Sequence, residues 1–111
     1  MLPELVAGDP SSKRLTAFVW YQINPGKRNV FEQRTKYLVS IEKEMEVPSA
    51  TGRFLVSDGW HYLRMLSFDS LGAYQAYWSR MRSEPRGIEI DNLTGRRREV
   101  IVASVPAMSV R

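Results

Sequence analysis

The residues of segment 15–23 (LTAFVWYQI) are apolar in both alternating sets of positions. β-Branched and aromatic residues of this kind favour a strand, in which successive side chains point to opposite faces. One face would carry Phe18 and Trp20, and the other Ala17, Val19 and Tyr21. Exposing either face to water would cost about 25 cal/mol per Å² of apolar area. The pattern therefore predicts a strand that is covered on both sides.

A helix is predicted between this strand and Pro48. Asn24 can cap its amino end, and Pro25 can take the first helical position, where a backbone N–H would be unpaired anyway. Farther along, apolar residues recur at helical intervals while charged residues lie largely elsewhere. These apolar positions are Val30, Leu38, Ile41 and Met45. Pro48 ends the helix, because the residue before a proline is pushed out of helical geometry.

Segment 50–68 (ATGRFLVSDGWHYLRMLSF) predicts a β-hairpin. Asp58 and Gly59 separate two runs of strand-forming residues, and this pair suits the positive backbone dihedrals of a tight turn. Asp69 or Ser70 is then expected to cap a second helix, whose apolar residues are again spaced three and four apart. Those residues are Leu71, Tyr74, Trp78 and Met81.

The carboxyl end of the chain predicts one more strand. Pro85 and Gly87 are expected to end the second helix. Segment 87–93 (GIEIDNL) is compatible with a short edge strand or with a loop. Segment 99–105 (EVIVASV) is rich in β-branched residues and predicts the last strand, which Pro106 ends.

The predicted order is β-α-β-β-α-β, which indicates an α+β, ferredoxin-like fold. In this fold a four-stranded antiparallel sheet carries two helices on one face. Residues 1–14 are expected to form a flexible N-terminal arm, and residues 15–111 a single domain. The other face of the sheet would be bare and apolar, so a second copy of the chain is expected to cover it. The predicted assembly is a homodimer or a higher oligomer.

Two strand-to-helix junctions resemble those of the dimeric α/β barrel superfamily, and most closely its NIPSNAP-like group, which is related to the antibiotic-biosynthesis monooxygenases. The first junction is WYQINPGK, with Tyr21 followed by Ile23 and by Pro25 to Lys27. The second is FDSL, residues 68–71. The resemblance covers roughly residues 15 to 105. It implies a homodimer whose two sheets form a barrel around a small-molecule cavity.

The resemblance also implies a range of functions. Relatives include cofactor-independent monooxygenases acting on aromatic polyketides, haem-degrading enzymes, muconolactone isomerases and proteins of no known activity. In the NIPSNAP-like group a histidine often stands four residues before the aspartate of FDSL, where this chain has Met65. Ala17 and Val19 occupy positions at which the group usually carries glutamate and arginine. The resemblance therefore supports the fold more strongly than any catalytic residue.

Composition narrows the expected function. The chain has no cysteine, which fits a reducing cytoplasm and leaves no thiolate chemistry. Its net charge of +4 comes partly from Arg96, Arg97 and Arg98, which we expect beside a solvated turn. Because acidic residues are interspersed through the sequence, we expect no nucleic-acid partner. No apolar run approaches the ~20 residues that cross a bilayer, so we expect a cytoplasmic protein with no membrane partner.

His61 and Arg64 are the candidate catalytic residues. His61 is the only histidine, and a neutral imidazole can accept a proton at working pH. Its alternative is a strand-end histidine bonded to backbone. Strand alternation places Arg64 on the opposite face, where a buried guanidinium needs an anion: either a ligand or a glutamate of the partner chain. No metal site is expected, since a lone histidine without cysteine rarely builds one.

Tyr21, Trp60, Tyr62 and Arg64 are the candidate ligand-binding residues, because aromatic residues on strands can wall a cavity for a planar molecule. The chain has no Gly-rich phosphate loop and no Gly-x-Ser-x-Gly elbow, so no nucleotide or other cofactor is expected. The leading hypothesis is a homodimer of unestablished activity that binds an apolar or aromatic metabolite between its two sheets. The alternative is a cofactor-independent monooxygenase or isomerase acting on an aromatic, polyketide-like substrate. Whether the protein is an enzyme stays open at this point.

Overall fold

The computed structural model describes residues 5–8, 13–55 and 59–103. The elements in chain order are β1 (Val6–Ala7), β2 (Leu15–Ile23), α1 (Arg28–Glu44), β3 (Ser49–Arg53), β4 (Tyr62–Phe68), α2 (Leu71–Ser83), α3 (Pro85–Leu93) and β5 (Thr94–Ala103). The strands form one antiparallel sheet in the order β1-β3-β4-β2-β5. The α+β, ferredoxin-like fold is confirmed. The described chain has five strands and three helices, however, where four strands and two helices were predicted.

The additional strand, β1, lies inside the segment that was predicted to be a flexible arm. Val6 pairs with Ala50 of β3, and Ala7 pairs with Ser49. Leu5 and Ala7 are buried against Val39 of α1. A flexible arm was expected here, whereas residues 5–8 lie at the sheet edge, where two apolar side chains are buried. Residues 1–4 and 9–12 lie outside the described part of the chain.

The additional helix, α3, occupies the segment that was predicted to be an edge strand or a loop. Pro85 begins this helix, because its missing N–H falls at a helical position where no partner is needed. The Glu84 carboxylate caps it by accepting the backbone N–H of Arg86 at 3.5 Å. Ile90 anchors the helix in the core with 3% of its surface exposed. Pro85 thus separates two helices.

The first helix begins later than the sequence indicated. The backbone N–H of Lys27 donates to the carbonyl of Asn24 at 3.1 Å, which closes a turn over residues 24–27. Gly26 has a φ of +77°, a left-handed conformation that a helix cannot contain. The helix therefore starts at Arg28. The predicted cap of the second helix is confirmed, since Ser70 Oγ accepts the backbone N–H of Ala73 at 3.1 Å.

The hairpin of β3 and β4 is confirmed, although its connection is longer than a two-residue turn. Paired strand residues end at Arg53 and Tyr62. The backbone N–H of Phe54 donates to the carbonyl of His61 at 2.9 Å. Gly59 has the expected positive φ, at +89°, while Asp58 lies outside the described residues.

The last strand begins at Thr94, five residues before the predicted start. Arg96 pairs with Gln22 of β2, and Arg98 pairs with Trp20. The three arginines expected beside a turn therefore lie within an edge strand, with alternating orientations. The predicted residues Ser104 and Val105 lie outside the described part of the chain.

The sheet has two unlike faces. The helix-covered face carries the core and includes Ala17, Val19, Tyr21, Ile23, Tyr62, Arg64, Leu66 and Phe68. The open face carries the alternate residues, which are Thr16, Phe18, Trp20, Gln22, Leu63, Met65, Ser67, Ala50, Arg96, Arg98, Val100 and Val102. No helix of the described residues is long and apolar enough to cross a membrane.

Candidate functional site

Arg64 points from β4 toward the helices and forms the centre of a buried polar cluster. It is 2% exposed and donates twice to the Glu42 carboxylate of α1, from Nη1 at 2.8 Å and from Nη2 at 2.7 Å. Its Nε donates to Thr51 Oγ1 at 2.9 Å. Burial alone would lower the pKa of Arg64, but the Glu42 carboxylate outweighs burial and raises it. The anion that this arginine requires is supplied by its own chain.

The Glu42 carboxylate accepts two further hydrogen bonds. Ser49 Oγ donates to Oε1 at 2.5 Å, and the Tyr77 hydroxyl of α2 donates to Oε2 at 2.6 Å. Glu42 itself is 0% exposed. Burial and the neighbouring Glu42 charge hold the pKa of Tyr77 well above its usual range, so the phenol keeps its proton. The cluster ties together α1, α2, β3 and β4.

An open cleft lies on the helix side of the sheet, between α2, α3 and β5. Its volume is about 500 Å³. It is lined by Tyr74, Gln75, Trp78, Arg82, Asp91, Arg97 and Glu99. A recess of about 50 Å³ shares Trp78, Arg82 and Asp91 with the cleft, and also reaches Tyr21, Arg64 and Tyr77. The buried cluster therefore forms part of the floor beneath the cleft.

Glu99 is held in place on the wall of the cleft. Its carboxylate accepts from the Tyr74 hydroxyl at 2.6 Å and from Arg97 Nη2 at 3.1 Å. Burial, together with the Glu99 charge, raises the pKa of Tyr74 to about 12. Because this phenol is protonated at neutral pH, it can donate a hydrogen bond but cannot serve as a base.

Arg97 joins the cleft to the recess. Its guanidinium carbon lies 5.0 Å from the centroid of the Trp78 ring, and its side chain also approaches the Tyr21 hydroxyl. Burial raises the pKa of Tyr21, and the opposing charges of Arg64 and Arg97 do not cancel this effect. The Trp78 N–H is buried near the Tyr74 hydroxyl but makes no hydrogen bond of good geometry within the described residues. This N–H is therefore buried behind the wall of the cleft without a partner of good geometry in the described part of the chain.

The structure separates the predicted ligand-binding residues. Tyr21, Tyr62 and Arg64 lie on the helix-covered face, so the expectation that they line a space between two sheets is corrected. The reason is strand alternation, which points all three toward the helices. Trp60 lies apart from them, and the guanidinium carbon of Arg96 is 4.5 Å from its ring centroid. Only Tyr21 and Arg64 reach the recess.

Tyr62 has a structural environment of its own. Its ring centroid lies 4.5 Å from that of Phe31, and its hydroxyl donates to the Glu32 carboxylate. Arg53 Nη2 donates to the same carboxylate at 2.9 Å. Tyr62 therefore links β4 to the first turns of α1, away from the cleft.

His61 has the backbone contacts of a strand-end residue. Its Nδ1 accepts the backbone N–H of Ile23 at 2.9 Å, and its own backbone N–H donates to the carbonyl of Tyr21 at 2.9 Å. A ring nitrogen that accepts from an amide carries no proton, so any proton of the neutral ring is on Nε2. The predicted separation of His61 from Arg64 is observed. Within the described residues, no three histidine, aspartate or glutamate side chains are grouped so as to hold a metal ion.

Sequence reasoning missed Glu42, Tyr77, Trp78, Arg97 and Glu99 as residues of this region. One signal was available for Glu42, which stands four residues after Leu38 and beside Ile41, on the apolar stripe of α1. A charged residue within such a stripe requires a buried partner. Tyr77 and Trp78 lie on α2, whose apolar spacing predicts core packing and not a site. Arg97 and Glu99 lacked a signal, because the register of β5 against β2 decides which side chains of β5 face the helices.

The fold is shared with solved structures of other proteins. A NIPSNAP family protein from Agrobacterium tumefaciens str. C58 aligns with a TM-score of 0.69 and 11% identity, over 84% of this chain and 87% of that chain. An uncharacterized NIPSNAP domain protein from Burkholderia xenovorans aligns with a TM-score of 0.66 and 13% identity, over 82% of this chain and 94% of that chain. A dimeric protein of unknown function with a ferredoxin-like fold, from Bacteroides fragilis NCTC 9343, aligns with a TM-score of 0.62 and 11% identity, over 81% and 95% respectively.

No protein-family model and no curated protein matches the sequence. At identities of 13% or less, the structural likenesses concern the fold alone. The predicted NIPSNAP-like, ferredoxin-like resemblance is confirmed at that level.

Proposed function

We propose that this protein is a homodimer that binds a small, neutral aromatic compound in the cleft between α2, α3 and β5. The single observation that carries the proposal is the cleft itself, which has an indole wall and a balanced set of charges. Its volume of about 500 Å³ lies within the range of small-molecule sites. The ligand would lie beneath the helices and not between two sheets.

The charges of the cleft favour a neutral ligand. Its lining contains two positively charged side chains, Arg82 and Arg97, and two negatively charged ones, Asp91 and Glu99. Arg97 is already hydrogen-bonded to Glu99, and Arg64 below it is neutralised by Glu42. A charged ligand would have to compete with these pairs. A neutral aromatic ring makes no such demand and can pack against the Trp78 indole.

The open face of the sheet supports the homodimer. Phe18, Met65, Ala50 and Val6 line an apolar groove of about 300 Å³ on this face. Val102, farther along the same face, is 47% exposed. A contiguous apolar surface of this kind marks an interaction site, and a second copy offers the same surface across a two-fold axis. The Bacteroides fragilis protein of the same fold is described as dimeric.

A matched pair of probes tests the binding site. Benzaldehyde and benzoate share a ring and differ in charge, and titration calorimetry should show tighter binding of benzaldehyde. Trp78→Leu should abolish binding, whereas Trp20→Leu, on the opposite face of the sheet, should leave it unchanged. Failure of both probes to bind at millimolar concentration would contradict the proposal. Equal losses in the two variants would contradict the location.

Catalysis in the same cleft is a second candidate, in the form of a cofactor-independent oxygenase or isomerase. The observation in its favour is the approach of Arg97 to the Tyr21 hydroxyl, since two such donors would stabilise the oxygen of an enolate. Turnover of dihydroxynaphthalene by the purified protein tests it. Tyr21→Phe should reduce that turnover, and His61→Ala should not, because His61 is engaged with the backbone of β2. No turnover by the wild type would leave binding as the function.

A further inference from the structure

Two arginines on the open face have their guanidinium groups over tryptophan rings. The guanidinium carbon of Arg96 is 4.5 Å from the Trp60 ring centroid, and that of Arg98 is 5.3 Å from the Trp20 ring centroid. A guanidinium stacked on an indole keeps its in-plane N–H groups available, because the stack uses only its flat face. These four residues are here called the guanidinium–indole patch.

The patch has positive charge without a compensating carboxylate. Arg34, Arg53, Arg64 and Arg97 each form an ion pair, whereas no carboxylate of the described residues pairs with Arg96 or Arg98. None of the described residues that form the open face is acidic. Arg96 and Arg98 are both exposed. Within residues 13–55 and 59–103, both guanidinium charges therefore lack an internal counter-charge.

The arginines are also spaced to act together. Side chains two residues apart on a strand share a face and lie about 6–7 Å apart at their bases. Each guanidinium presents a planar fork of donors that matches the oxygens of a phosphate group. A phosphate monoester carries about −1.5 to −2 charges at pH 7, which balances the two arginines.

We propose that the guanidinium–indole patch is a second binding site, which holds the phosphate group of a small phosphorylated ligand between Arg96 and Arg98. Contact with Trp20 and Trp60 restricts the two guanidinium groups, which reduces the conformational freedom lost on binding. This inference is independent of the proposed cleft, because β5 places Arg97 on one face of the sheet and its two neighbours on the other.

The site is also distinct from the surface proposed for dimerisation. The apolar groove lies near the first residues of β2, at Thr16 and Phe18, on the side of the sheet formed by β1 and β3. The patch lies near the last residues of β2, at Trp20 and Gln22, on the side formed by β5. The two adjoin at Phe18 and Trp20, whose ring centroids lie 6.3 Å apart, so the patch lies at the rim of a dimer built on the groove.

Titration calorimetry of the full chain with methyl phosphate tests the proposal. Arg96→Gln and Arg98→Gln should each weaken binding about tenfold, and the double variant should abolish it. Arg14→Gln/Arg80→Gln is the matched control, since both arginines are exposed, neither forms an ion pair with a described residue, and the change of net charge is the same. This control should bind like the wild type. Circular dichroism verifies that each variant is folded.

A further double variant distinguishes specific recognition by two guanidinium groups from general attraction by positive charge. Arg96→Lys/Arg98→Lys keeps both charges but removes the planar forks, and should weaken binding about tenfold. Wild-type affinity in the lysine variant would overturn the proposal, as would equal losses in the Arg14 and Arg80 control. Absence of methyl phosphate binding by the wild type at millimolar concentration would overturn it too, without bearing on the benzaldehyde titration of the cleft.

Discussion

Arginine side chains contact different groups on the two faces of the sheet. On the helix-covered face, Arg64 and Arg97 each pair with a carboxylate, and for the buried Arg64 this carboxylate supplies the anion that a guanidinium removed from water requires. On the open face, Arg96 and Arg98 meet tryptophan rings and no carboxylate of the described residues. Three consecutive arginines of one strand are thereby divided between a charge-balanced face and a positive one. The difference is the basis for proposing a neutral ligand on the helix side and an anion on the open side.

The largest expected effect comes from breaking the buried pair. Arg64→Met should lower the free energy of unfolding by about 3–5 kcal/mol, because it leaves the Glu42 carboxylate buried without its counter-charge. Urea denaturation measures this loss. Arg80→Met, an exposed change on α2, is the control and should have little effect. A loss of less than about 1 kcal/mol in Arg64→Met would contradict the role of the pair.

A double variant sharpens the same measurement. Arg64→Met/Glu42→Met removes both charges and should be less destabilised than the sum of the two single variants, since neither then leaves an unpaired charge. It should still be less stable than the wild type. Tyr77, Ser49 and Thr51 lose their partners in the double variant, at about 1–3 kcal/mol for each polar group left unsatisfied.

A substitution on the open face should change the dimerisation constant and not the folding of the chain. Met65→Glu places a carboxylate in the proposed dimer surface and should weaken dimerisation by about 100-fold, because the charge would lose its water without gaining a partner. Sedimentation velocity over a dilution series measures the change. Gln75→Glu, an exposed change on the opposite side of the sheet, should leave the dimer intact. A wild type that sediments as a folded single chain would end the dimer proposal.

Much of the fold is predictable from the sequence because alternation and helical spacing are local signals. The pattern of segment 15–23 predicts β2, and Ser70 predicts the start of α2. The elements that were not predicted are short. β1 has two residues and is held by long-range burial of Leu5 and Ala7, while α3 follows a proline that reads equally well as an end or as a start. Local sequence cannot distinguish those two roles of Pro85.

The candidate site is less predictable, because its contacts join elements that are distant in the chain. Alternation correctly separates His61 from Arg64. It cannot reveal that Arg64 meets Glu42, 22 positions away, since this depends on how α1 lies across the sheet. The orientation of Arg97 is likewise set by the register of β5, including the irregularity between Gln22 and Ile23.

A smaller effect is expected at alkaline pH, and it also reports on the helix-covered face. Burial raises the pKa of Tyr21 and Tyr77 above the ordinary value of 10.0 for a tyrosine. Between that value and the raised one, the folded chain holds more protons than the unfolded chain, so stability must fall as the pH rises above about 10. Each such tyrosine contributes up to about 1.4 kcal/mol per pH unit. Tyr77→Phe should show a shallower decline in urea denaturation, and an unchanged slope would contradict the assignment.

The smallest effect is expected at the exposed pair of Arg53 and Glu32, the counterpart of the buried pair. Burial raises the pKa of Glu32, but hydrogen bonds from Tyr62 and Arg53 outweigh it, so the pKa is lowered overall. The two hydrogen bonds therefore contribute to the free energy of unfolding above pH 4.5, the ordinary pKa of a glutamate. This contribution is lost as the pH falls through the lowered pKa of Glu32 in the folded chain. Glu32→Gln should therefore destabilise the chain at neutral pH by less than about a third of the loss in Arg64→Met, because water screens the pair. The difference between wild type and Glu32→Gln should shrink toward pH 3, where the carboxyl begins to bind a proton and loses its attraction for Arg53. A difference that grew on acidification would mean that burial, and not the two hydrogen bonds, controls this carboxylate.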